Sequence, residues 1–139
     1  MRVVGVIAAV GLCLLLTGCS TRMEAVIAGP LHAPMVTFLT LDGEPQEVCM
    51  DQLQVWRDRE VIWSVRVAEG DCGLLTSVTF GTAPQGFVGS PPGQALESGV
   101  TYQVFGQGWG QGVPWGGGGA YVFENGAWRD VEGMPSEAE

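Results

Sequence analysis

The chain has 139 residues, with 15 Asp and Glu against six arginines and no lysine, for a formal net charge of −9. Cations this few and this dispersed exclude nucleic acid as a partner, since a polyphosphate needs clustered positive charge, and without lysine there is no phosphate-binding loop. With 22 glycines and 8 prolines, long helices are not expected, and the length suits one small domain around one core.

Arg2 precedes an apolar run, Val3 to Leu16, interrupted only by Gly5 and Gly11. A membrane-spanning helix needs about 20 apolar residues, so this shorter run fits the core of a signal peptide, residues 1–18. Leu16-Thr17-Gly18-Cys19 closes the run and resembles the lipobox of bacterial lipoproteins. The resemblance implies cleavage before Cys19, a diacylglyceryl thioether on that cysteine, and attachment to the cell envelope, which two or more acyl chains make stable. Ser20 stands where members of this family retained in the inner membrane commonly carry aspartate, so the resemblance implies the outer membrane if the cell is Gram-negative. Loss of residues 1–18 removes Arg2 and no acid, which takes the net charge from −9 to −10. That balance disfavours anionic headgroups as a ligand and supports solubility or a basic partner.

Cys13 lies in the signal peptide and Cys19 is assigned to lipid, leaving Cys49 and Cys72. Outside the cytoplasm these two are expected to form one disulfide, worth about 3 kcal/mol in the chain-entropy model, with two buried free thiols as the alternative. A zinc site is not expected, because His32 is the only histidine and a closed site needs several ligands. No metal or other cofactor is expected.

Residues 19–33 read as a lipidated tether, although Met23 to Ala28 suits a helical turn. Residues 34–132 read as a β-sandwich domain. Its first strand is expected over Met35 to Leu41, which is rich in β-branched and aromatic residues and is ended by Asp42-Gly43-Glu44-Pro45. Val48 to Met50 is a short strand or a lead into Gln52 to Trp56. Glu60 to Val67 follows, where Val61, Trp63, Val65 and Val67 alternate with Ile62, Ser64 and Arg66 in the period-two pattern of a half-buried strand. Leu74, Thr76, Val78 and Phe80 are expected to line one face of the next strand. Residues 81–94 form a loop rich in glycine and proline. Ala120 to Glu124, Asn125-Gly126 and Ala127 to Val131 make a hairpin, since Asn-Gly accepts positive φ at both central positions of a type I′ turn. Residues 133–139 read as a disordered acidic tail.

Leu96 and Tyr102 are spaced as in the leucine-to-tyrosine segment of fibronectin type III domains, and Leu96 to Val104 resembles that segment with Ser98 in place of the usual proline. The resemblance implies an immunoglobulin-like or fibronectin type III-like sandwich of about seven strands. It also implies a tyrosine corner, in which the Tyr102 ring packs in the core and its hydroxyl bonds to upstream backbone.

The segment Gly106 to Gly119 is the most unusual in composition. Trp109, Gln111 and Trp115 among its glycines are candidate contacts for a glycan or peptide, by stacking and amide hydrogen bonding. The competing reading is a long hairpin loop whose tryptophans fold back over one end of the sandwich. Ser98-Gly99-Val100-Thr101-Tyr102, with Trp109 and Gly112, is also similar to the Ser-Gly-x-x-Tyr…Trp-x-Lys-Gly pattern of membrane-bound lysozyme inhibitors, with Gln111 at the lysine position. Catalytic residues are not expected. The carboxylate pairs Asp42/Glu44, Asp58/Glu60, Glu69/Asp71 and Asp130/Glu132 flank turns, and no histidine or lysine stands near to activate a serine. The composite expectation is a lipid-anchored envelope protein acting as a non-enzymatic binding or structural module for an envelope protein or a cell-wall glycan. A lysozyme inhibitor and a carboxylate-dependent hydrolase are the alternatives.

Overall fold

A computed structural model describes residues 21–40, 42–110 and 112–131. Residues 1–20 with Cys19, Gln111, and the tail 133–139 lie outside the described residues. The described residues form ten strands: β1 (Thr21–Ala28), β2 (Met35–Leu39), β3 (Val48–Arg57), β4 (Glu60–Val67), β5 (Gly73–Leu75), β6 (Ser77–Thr79), β7 (Phe87–Gly89), β8 (Thr101–Gly110), β9 (Val113–Glu124) and β10 (Ala127–Asp130). The fold is all-β, with ten strands where about seven were expected.

The strands form two sheets. The large one runs β7-β4-β3-β8-β9, with β5 sharing an edge of β3 and β10 sharing an edge of β9. The small one is β6-β2-β1. β1 belongs to both, because Thr21 to Met23 pair in parallel with Trp115 to Gly117 and Glu24 to Ala28 pair antiparallel with Leu39 to Met35. Every other pairing is antiparallel. This corrects the tether: residues 21–28 are neither tether nor helical turn but a strand whose Ile27 is buried in the core.

The core fills the space between the sheets. Phe38 of β2 meets Trp115 of β9 edge-to-face at 5.6 Å, and Trp63 of β4 meets Phe80, just beyond β6, at 5.2 Å. Such pairs contribute about 0.5–1.5 kcal/mol each beyond the area they bury. The disulfide Cys49–Cys72 is formed, with Cα atoms 5.2 Å apart and a sequence separation of 23. It ties the start of the central strand β3 to the turn before β5, closing a loop whose cross-link contributes about 3 kcal/mol.

Two expected faces are shifted. A β-bulge opposite Val55 and Trp56 sets Val55 against Trp63 and Trp56 against Val61, so Ile62 is the extra residue. Because a one-residue slip reverses the side-chain face, Ile62 is buried and Val61 is exposed, the reverse of simple alternation. Residues 73–80 are likewise not one strand. β5 pairs with β3 of the large sheet and β6 with β2 of the small one, so the chain changes sheets at Thr76. Leu75 therefore takes the core place expected of Leu74, which is 68% exposed. Asn125 and Gly126, with φ of 54° and 80°, form the expected hairpin turn, which brings Phe123 opposite Trp128.

Tyr121 fastens β1 where it changes sheets. Its hydroxyl donates to the Ala25 carbonyl at 2.5 Å. Burial pushes the phenol up to about 12, and Asp130 and Glu24 add in the same direction. The folded state therefore holds this proton more tightly than the unfolded chain, whose tyrosine titrates near about 10. The stabilisation is complete below pH ~10 and is lost as pH rises through about 12. Urea melts should show Tyr121→Phe less stable than the parent by about 1 kcal/mol at pH 8, with the two stabilities converging between pH ~10 and ~12. Parallel pH profiles would show that Tyr121 is not the group responsible.

Candidate functional site

The candidate residues fall in different places. Trp115 is 3% exposed, with its indole N–H donating to the Cys49 carbonyl at 3.1 Å. It is a core residue, which corrects its assignment as a ligand contact. Trp109 is 45% exposed on the outward side of β8. Leu96 and Tyr102 are both buried, and the Tyr102 hydroxyl accepts the Glu97 backbone N–H at 2.7 Å. Tyr102 points inward and Trp109 outward, so the two aromatics of the lysozyme-inhibitor-like pattern lie on opposite faces of one strand. His32 is exposed in the turn between β1 and β2. Asp42, Glu44, Asp58, Glu60, Glu69, Asp71 and Asp130 are all exposed. Among the described residues no cluster of His, Cys, Asp and Glu is arranged to hold a metal.

The glycine-rich segment is a strand hairpin, not a loop. β8 and β9 pair continuously from Thr101↔Val122 to Gly110↔Val113. The glycines on the inward side have a packing role. A Cβ on Gly106 would stand 3.3 Å from both Leu53 and Phe38, and 3.5 Å from the Trp115 ring. At Gly108, the cross-strand partner of Trp115, a Cβ would overlap the Cys49 carbonyl and lie 2.8 Å from the Trp115 indole nitrogen. These two positions are emptied of side chains so that one large indole fits inside the sheet and reaches a backbone acceptor.

One void in the core is too small for a ligand. Bounded by Val55, Trp63, Phe80, Leu96 and Trp128, it measures about 10 Å³, space for one water at most. The outer face of the large sheet is different. Three cross-strand pairs, Gln52↔Gln107, Gln54↔Phe105 and Trp56↔Gln103, lie side by side on β3 and β8. Phe105 is 44% exposed, and the four glutamines and Trp56 are half-buried. On β9 the neighbours of this patch are Gly116, Gly118 and Ala120. The Phe105 ring leans over Gly116, where a Cβ would lie 3.4 Å away. On β4 the neighbours are Val61, Ser64 and Arg66. Two local bonds steady the patch: Trp56 Nε1 donates to Gln54 Oε1 at 3.2 Å, and Gln107 Nε2 donates to Asp51 Oδ2 at 3.4 Å.

Gln52, Gln54, Trp56, Gln103, Phe105 and Gln107 were not among the expected site residues. Their signal is the alternation of Gln103, Phe105, Gln107 and Trp109 with Tyr102, Val104, Gly106 and Gly108, which becomes legible once the glycines are placed in a strand.

The packing around Trp115 predicts that Gly108→Ala destabilises the domain by about 2–3 kcal/mol, the upper part of the range of overpacked core substitutions. Trp109→Ala should shift the urea midpoint little, as surface changes do. Equal and small effects would place Trp115 outside the core. No family model, no curated protein and no solved structure matches the chain.

Proposed function

We propose that this chain is a lipid-anchored, non-enzymatic binding module of the bacterial cell envelope, with an immunoglobulin-like sandwich held through acylated Cys19, and that it binds an uncharged stretch of cell-wall glycan. The observation that carries the reading is the patch of four glutamines around Phe105 and Trp56 on the outer sheet face. A glutamine amide presents both a donor and an acceptor and so matches sugar hydroxyls of either orientation. An exposed ring supplies an apolar surface for the C–H face of a pyranose. The bare backbone of Gly116 and Gly118 leaves one flank of Phe105 low, which suits a chain lying along the strands.

Arg66 and Asp51 are the charged groups bordering the patch, and they are of opposite sign, so the surface favours a neutral ligand over a charged one. Leu96 and Tyr102 have no part in binding: both are buried, and the Tyr102 hydroxyl holds the Glu97 backbone N–H just before β8.

Co-sedimentation of the purified domain with insoluble cell-wall polysaccharide tests the reading. Phe105→Ala with Trp56→Ala is expected to weaken binding at least about tenfold, equivalent to about 1.4 kcal/mol, with the melting transition retained. Unchanged affinity in the double variant would remove this face from recognition.

A further inference from the structure

The outer face carries a second feature, at the end of the sandwich where the chain enters. Leu74 of β5 pairs with Cys49 of β3, Cys49 pairs with Trp109 of β8, and Trp109 pairs with Pro114 of β9. These four residues form one row across four strands, all on the outward side of the sheet. Leu74 and Trp109 are 68% and 45% exposed, and Pro114 is exposed. Cys49 is held in the row by its bond to Cys72. The row lies within two residues of the β8–β9 turn, so it borders one end of the domain.

The path of the chain says what lies against that end. Thr21 pairs with Trp115, the residue after Pro114. Cys19 precedes Thr21 by two residues, a contour of no more than about 7 Å. If the thioether sulfur of Cys19 sits at the boundary of headgroups and acyl chains, this span is comparable to the thickness of one headgroup layer. The folded domain then has no tether to lift it away. β1 is already in register with β9 at the point where the lipid would end.

We propose that the row Leu74–Cys49–Trp109–Pro114 seats the domain on the surface of the membrane that carries its own anchor, with Trp109 in the headgroup region. Tryptophan is enriched at that depth because its ring is apolar and its N–H is polar. The net charge of −10 without residues 1–18, with Asp71 beside Cys72, makes zwitterionic lipid the fitting surface and anionic lipid an unfavourable one. The proposal rests on acylation of Cys19. Seated this way, the row meets the bilayer at the end of the domain, while the glutamine and aromatic patch, on the same sheet face but farther along β3 and β8, stands farther from the membrane.

The acylated full-length lipoprotein is reconstituted into phosphatidylcholine vesicles whose acyl chains carry bromine near the headgroup, and its tryptophan emission is compared with that in unbrominated vesicles. The wild type is expected to lose up to the share contributed by one of its five tryptophans. Trp109→Phe should lose none, and Leu74→Gln, at a position too exposed to affect folding, should lose less than the wild type. Replacing half the lipid with phosphatidylglycerol at low salt should reduce the loss. Acylated protein that floats with the vesicles but shows the same emission in both lipids would overturn the seating and leave the anchor standing. Protein whose mass shows no acyl chains would overturn both.

Discussion

The fit of Trp115 into the large sheet is the constraint on which the rest of the molecule depends. Its ring occupies space that Gly106 and Gly108 leave free, its edge meets Phe38 of the opposite sheet, and its N–H is satisfied by the Cys49 carbonyl. One side chain thereby joins both sheets and three strands of the larger one. The glycines that make the segment look unstructured are the condition for this contact, because a buried indole needs both volume and an acceptor for its N–H. The backbone acceptor belongs to a disulfide cysteine, so the cross-link and the indole reinforce the same point in β3.

From that point the two halves of the outer face acquire different surroundings. β1 begins beside Trp115, which brings the entering chain to the β8–β9 turn and to the row formed by Leu74, Trp109 and Pro114. Farther along the same strands the outward residues change to glutamines around Phe105 and Trp56. Core packing thus fixes where β1 begins, and that point divides the sheet face into an apolar row near Thr21 and a polar patch farther along the strands. In the proposed reading these meet lipid and glycan respectively.

Much of the fold was legible where a single local rule applied. The bounds of β4 follow from its β-branched and aromatic content, the β9–β10 turn from Asn-Gly, and the disulfide from the cysteine count. Leu96 and Tyr102 were legible because the corner that links them is local. What was not legible depended on distant partners. The bulge at Ile62 reverses a face that alternation alone assigns the other way. The crossing at Thr76 exchanges Leu74 for Leu75 because β5 and β6 belong to different sheets. The alternation of Glu24 to Ala28 is hidden in the sequence because the outward Val26 is apolar and the inward Ala25 is small. Trp109 is exposed and Trp115 buried, a difference the sequence did not show because glycines conceal the parity of β8 and β9, which also hid Gln103, Phe105 and Gln107.

Amide hydrogen exchange measured residue by residue tests most directly whether Phe105 to Gly108 and Trp115 to Gly119 are strands held by the buried indole. Alternate amides in both segments should be protected to the same degree as those of Leu53 and Val55 in β3, since they open only with the core. Exchange as fast as in the loop 81–86 would mean that the glycine-rich segment is a loop after all, and that the sheet on which both surfaces depend does not extend that far.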